Sequence, residues 1–167
     1  GMIRATGDVS ADAYSYDDAY LLALSFAAGG SAGVSVGANA LVFQSEVKSA
    51  LGGDVRALGD VKIKAFNETD LFNIALAVSG SGTAAVSPVA VVTYFEGAVE
   101  AVALEGADLS AGGRLTISAD SDEFITSNAA GVSVSGTASV SGTVDIIVSR
   151  QTTRAVAEKY ASLQAGA

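Results

Sequence analysis

The feature that most constrains this chain is that it repeats itself. Ile3–Ala13 reads Ile-Arg-Ala-Thr-Gly-Asp-Val-Ser-Ala-Asp-Ala, and Val55–Ala65 reads Val-Arg-Ala-Leu-Gly-Asp-Val-Lys-Ile-Lys-Ala. Ala107–Ala119 has the same plan: Leu109 and Ala111 alternate with polar neighbours, Gly112-Gly113 bend the chain, and Leu115, Ile117 and Ala119 resume the alternation. Apolar residues at every second position on both sides of a glycine corner predict two short strands, each burying one face. The offset is 60 − 8 = 52 residues from Asp8 to Asp60 and 114 − 60 = 54 from Asp60 to Arg114. The two-residue difference falls near Gly52-Gly53. Leu163–Ala167 begins a fourth copy. Repetition at this length marks an array in which each unit covers its neighbour's apolar face.

The units span approximately residues 8–59, 60–113 and 114–167 of one repeat domain covering 1–167. Both ends fall at equivalent points of the repeat, and Gly1–Thr6 leads directly into the first unit, so no secretion leader is expected within this stretch. We therefore expect an excerpt of a longer array.

Each unit continues from its corner into a longer excursion. In the second unit Leu71–Val78 leads to Ser79-Gly-Ser-Gly82 and then Thr83–Phe95, which reads as strand, glycine bend, strand. Tyr20–Phe26 with Ser31–Phe43, and Phe124–Val134 with Thr137–Ser149, are the counterparts. Apolar or very small side chains at odd and even positions alike predict strands buried on both faces. Thr153–Gln164 is rich in helix formers, but the register equates it with Val99–Ser110, a strand and turn. The register is followed here, with any helix confined to about the last 15 residues.

Fifty-four extended residues would run about 180 Å, too long for a simple coil. Each unit is therefore expected to be several coils, or one coil carrying a folded excursion. The fold class is all-β, a parallel β-solenoid of three repeats, and the alternative is an antiparallel β-sandwich of successive hairpins.

Composition narrows the chemistry. There is no histidine and no cysteine, which removes a Ser-His base, a thiolate nucleophile, disulfides and most zinc sites. A net charge of −9 repels nucleic acid and anionic membranes. Gly80-Ser-Gly-Thr-Ala-Ala85 imitates a dinucleotide loop, but a strand follows where that loop requires a helix, so it is read as a tight turn. Asp17 and Asp18, Glu68 and Asp70, and Asp120, Asp122 and Glu123 follow the first strand of each unit. Stacking would gather them at one edge, as a calcium-binding edge or, in the preferred reading, a solvated corner. Phe43 aligns with Phe95, Tyr14 with Phe66 and Tyr20 with Phe72, which predicts aromatic ladders between units. Asn67-Glu-Thr69 fits a glycosylation triplet and is given no weight. The expectation is no enzyme, with no catalytic, cofactor-binding or metal residue to name.

The Ala-x-Leu-x-Ala-Gly-Gly-x-Leu-x-Ile-x-Ala corner, with an excursion such as Ala28-Gly-Gly-Ser-Ala-Gly-Val-Ser-Val-Gly-Ala38, resembles the repeats of bacterial filamentous adhesins. The likeness is to the filamentous haemagglutinin-like and leukotoxin-type proteins and covers almost the whole chain. It implies a secreted or cell-surface β-solenoid used for attachment to a host or cell-surface receptor, without catalysis. The alternatives are a self-assembling fibre or sheath subunit and, ranked last, a membrane-inserted or pore-forming segment; no membrane insertion is expected. Weak head-to-tail self-association is expected from the exposed end rungs.

Overall fold

The computed structural model describes residues 1–166. Among them there is no helix, and 83% of the chain is strand. The chain begins with β1 (Met2–Ala5), turns at the Gly7-Asp8 corner, and runs outward along β2 (Val9–Gly29). It reverses at Gly30-Ser31 and returns along β3 (Ala32–Val34) and β4 (Gly37–Leu51). The second circuit is β5 (Asp54–Ala57), β6 (Val61–Ser81) and β7 (Ala84–Ala103). The third is β8 (Asp108–Ala111), β9 (Leu115–Ser135) and β10 (Ala138–Ala157), after which β11 (Ser162–Ala165) starts another.

Equivalent strands of successive circuits pair in parallel, giving three sheets: β1-β5-β8-β11, β2-β6-β9, and β10-β7 with β3 and β4 both on β7. The molecule is a parallel β-solenoid of three repeats. The register joins Val9, Val61 and Leu115, and likewise Ala13, Ala65 and Ala119. The offset is 52 residues as far as the Leu51–Ala103 pair and 54 from the Asp54–Asp108 pair onward. The first circuit turns through Gly52-Gly53 where the second uses Leu104–Ala107, which places the two-residue difference where the sequence put it. The fourth copy is present as β11 on β8; its final residue, Ala167, lies outside the described residues.

Two expectations need correction. Each repeat is one coil, neither several coils nor one coil with a folded excursion. The excursion's arms are the coil's own long strands, in opposed sheets, bonded to the next circuit rather than to each other. A 54-residue perimeter is too long only for a rounded coil; this one is flattened. Flattening works because the distal interior is made of very small side chains. Ala75 and Ala77 pack on Val89 and Val91, and a methyl group added to Gly131 would strike the Ser87 carbonyl oxygen. The coil widens toward the corner, where Val47, Val55, Ile63, Val99 and Leu109 form the main core.

The second correction concerns burial. The long strands of the middle coil are buried on one face, alternating residue by residue as in Val61–Ser81. Those of the first coil and β9 cover one face less completely, and β10 at the end of the stack is exposed almost throughout. Their outer faces are apolar without being covered, and that is why both faces looked buried in sequence. The segment Thr153–Gln164 follows the register: it completes β10, turns, and enters β11. Twenty ladder pairs along β10 and β7 outweigh a local helix preference of a few tenths of a kcal/mol per residue.

Candidate functional site

The backbone at the corner is held by a ladder of aspartates. Asp8 Oδ1 accepts the Asp60 N–H at 2.7 Å, and Asp60 Oδ1 accepts the Arg114 N–H at 2.8 Å. Lys62 Nζ lies 3.6 Å from Asp60. The Arg114 N–H bond, reinforced by the Lys62 and Arg114 charges, outweighs desolvation and holds the Asp60 carboxyl below its ordinary range. These carboxylates join coil to coil.

Stacking brings the other acidic residues to one region of the β2-β6-β9 sheet, but the pleat divides them. Asp18 pairs with Asp70, and Glu68 with Asp122, in register. Asp18, Glu68, Asp70, Asp120 and Asp122 share the outer face, whereas Asp17 and Glu123 are on the inner face of the pleat, in register with buried Thr69. Asp17 accepts from Ser15 Oγ at 3.0 Å and Ser45 Oγ at 2.7 Å. Glu123 has Ser149 Oγ at 3.4 Å and, with the Gln151 amide nitrogen turned toward it, a donor at 3.0 Å. Among the described residues no three acidic side chains converge as a metal site would require. Asn67 is buried, donating to Thr69 Oγ1 at 2.9 Å, so the folded chain does not present it as a glycan acceptor.

A polar chain that the sequence did not reveal crosses the interior. Asn73 Nδ2 donates to Thr93 Oγ1 at 2.9 Å, Thr93 to Ser127 Oγ at 3.4 Å, and Ser127 to Asp145 Oδ1 at 2.5 Å. Asn73 also donates to the Val92 carbonyl at 3.0 Å, while its own Oδ1 is buried without a protein partner. Ser25 with Ser35 and Ser79 with Ser87, at 2.8 and 2.7 Å, bridge the two long sheets nearer the tip. The bonds run across the sheets, between residues 8 to 34 apart. Only pairing the arms, not reading either alone, would have found them.

The three aromatic pairs that the register predicts are formed. Two diagonal contacts, Tyr16 with Phe66 and Phe72 with Phe124, join residues that it did not pair, since Tyr16 is in register with Glu68 and Phe124 with Asp70. Tyr20 stacks on Phe72 at 5.2 Å, Phe72 meets Phe124 at 5.8 Å, and Tyr14 and Tyr16 lie 6.4 and 5.9 Å from Phe66. Phe43 stacks on Phe95 at 6.2 Å, within the coil. Lys64 Nζ lies 5.7 and 5.9 Å from the Tyr14 and Phe66 rings, within cation–π range. The outer face of β2-β6-β9 near the corner is thus an aromatic and charged surface. On the opposite sheet a groove of about 490 Å³ carries Glu46, Glu96 and Arg150. The Tyr94 hydroxyl donates to Glu96 at 3.0 Å, and that bond, which ionisation would forfeit, raises the tyrosine's pKa. The Gly80–Ala85 stretch is the β6–β7 reversal, a turn as expected.

No family model, curated protein or solved structure matches this chain.

Proposed function

We propose that this chain is a structural and adhesive segment of a large secreted bacterial surface protein. The observation that carries this reading is the in-register stack of single-coil repeats, which presents like side chains in rows along one surface. Tyr14, Tyr16 and Phe66 share such a surface with Lys64, offering flat apolar area beside charge, a combination suited to binding a macromolecule's surface. The resemblance of the Gly-Gly corner repeats to filamentous adhesins points the same way. Beads coated with the protein should adhere to cultured cells or matrix-coated plates. Replacing Tyr14, Tyr16 and Phe66 together with Ser should remove that adhesion while leaving the β spectrum intact. Wild-type beads that bind no better than albumin-coated beads would sink the proposal.

A second reading, a self-assembling fibre subunit, draws on the end rungs. β1, β2 and β4 on one side, and β9, β10 and β11 on the other, each have only one strand neighbour, so each presents unpaired backbone groups.

A further inference from the structure

Charge is distributed unevenly along the coil. Ala19–Ser45, Leu71–Phe95 and Phe124–Val144 contain no charged residue. These are the distal parts of the long strands and the reversals joining them, so the narrow end of all three coils is uncharged while the acidic net charge sits toward the corner. On the outer face of β2-β6-β9 the uncharged zone carries Leu22, Leu24 and Phe26, exposed by 62, 53 and 71%, with Tyr20 and Phe72 at its border. The opposite outer face carries smaller groups there, chiefly valines such as Val36 and Val42, with Ala38, Ala40 and Ala90 between.

We propose that the distal outer face of β2-β6-β9 is a self-association surface on which a second copy of this chain packs face to face, with its long strands reversed. A charged partner would leave its charges unpaired against this zone, whereas a second copy brings an equally uncharged face. Reversal follows from electrostatics: it sets the two acidic corners at opposite ends, and parallel packing would place them side by side. The contact is isologous and closes as a dimer. A bilayer is the poorer occupant, because inserting the narrow end would put unpaired backbone groups of the end strands into hydrocarbon. Three strands about 4.8 Å apart and eleven uncharged residues at about 3.3 Å each give a footprint of about 500 Å² per copy. Both copies together bury about 1,000 Å², at the lower limit for a specific interface, so the dimer is weak and concentration-dependent.

Sedimentation velocity across a concentration series tests this. The wild-type chain should pass from monomer to dimer and stop there. Leu22→Glu with Leu24→Glu, both pointing outward, should weaken dimerisation by about tenfold or more, while Val36→Glu with Val42→Glu on the opposite face should leave it unchanged. Circular dichroism confirms folding, and Leu22→Ser with Leu24→Ser replaces the first pair should it misfold. A strict monomer, an unaffected leucine variant, an equal loss in the valine variant, or open-ended growth through the end rungs would each overturn the proposal. Orientation is read by pulsed electron resonance on a spin-labelled Asp18→Cys chain, at the edge of the uncharged zone. Reversed packing gives about 40 Å between labels, and parallel packing about 10–15 Å, which would contradict it.

Discussion

Val61 has no exposed surface and sits between Val9 and Leu115 in the register, so the first and third coils cover it from either side. Val61→Asp would bury an unpaired carboxylate there and should destabilise the fold by several kcal/mol, a loss visible as a collapsed melting transition. An unchanged melting curve would mean that position 61 is not in a core. Asp60, one residue away, acts on the backbone instead. Its folded-state pKa is depressed, so its contribution is present above the unfolded carboxylate pKa and is lost as pH falls through the folded value. Asp60→Asn should therefore melt below wild type at neutral pH, and the gap should close as pH falls through the depressed folded-state value, where the wild-type carboxyl becomes protonated as well. A gap independent of pH would show that the side chain's shape, not its charge, holds the corner. Equivalence at this scale was legible: the Val9, Val61 and Leu115 row follows from alternation and a fixed offset. The split of Asp17 from Asp18 followed from the same alternation, yet counting acids along the chain concealed it.

At the scale of the element, the strands obey ladder pairing over local preference. Val156, Ala157 and Leu163 lie in a stretch of helix formers, yet β10 and β11 are strands because β7 and β8 already offer paired edges. The turns are where sequence matters most. Gly106 has φ of 69°, and Tyr160, one repeat later, has φ of 62°. The second circuit supplies glycine for this left-handed position; the third places a tyrosine there, at a cost of roughly 1–2 kcal/mol. Tyr160→Gly is therefore expected to stabilise the chain by about 1 kcal/mol after the added backbone entropy of glycine. A lower melting temperature would show that the ring's packing or its Lys159 contact, 4.8 Å away, outweighs the strain. The outer faces were the least legible part. Leu22, Leu24 and Ile74 look like core residues in any sequence window, and only the structure shows that they point away from the interior.

For the whole molecule, the repeat length in sequence is the coil perimeter in space. That identity was hidden because the perimeter estimate assumed a rounded coil, and a flattened one depends on features dispersed along the chain: Ala75, Ala77, Gly131 and the paired serines across the gap. Once the two long sheets approach that closely, the coil becomes a thin blade with a thick corner, and each residue's place is fixed by its distance from the turn. Solenoid stability is then a sum over coils and their interfaces, and the central claim is that one repeat makes one circuit. It is tested most directly by a distance along a single long strand. The chain has no native cysteine, so Thr116→Cys and Val134→Cys place labels at opposite ends of β9. Resonance energy transfer between the labels should report about 60 Å, from 18 residues at about 3.3 Å each. A distance of about 30 Å or less would mean that the repeat doubles back into more than one coil, and would contradict the account.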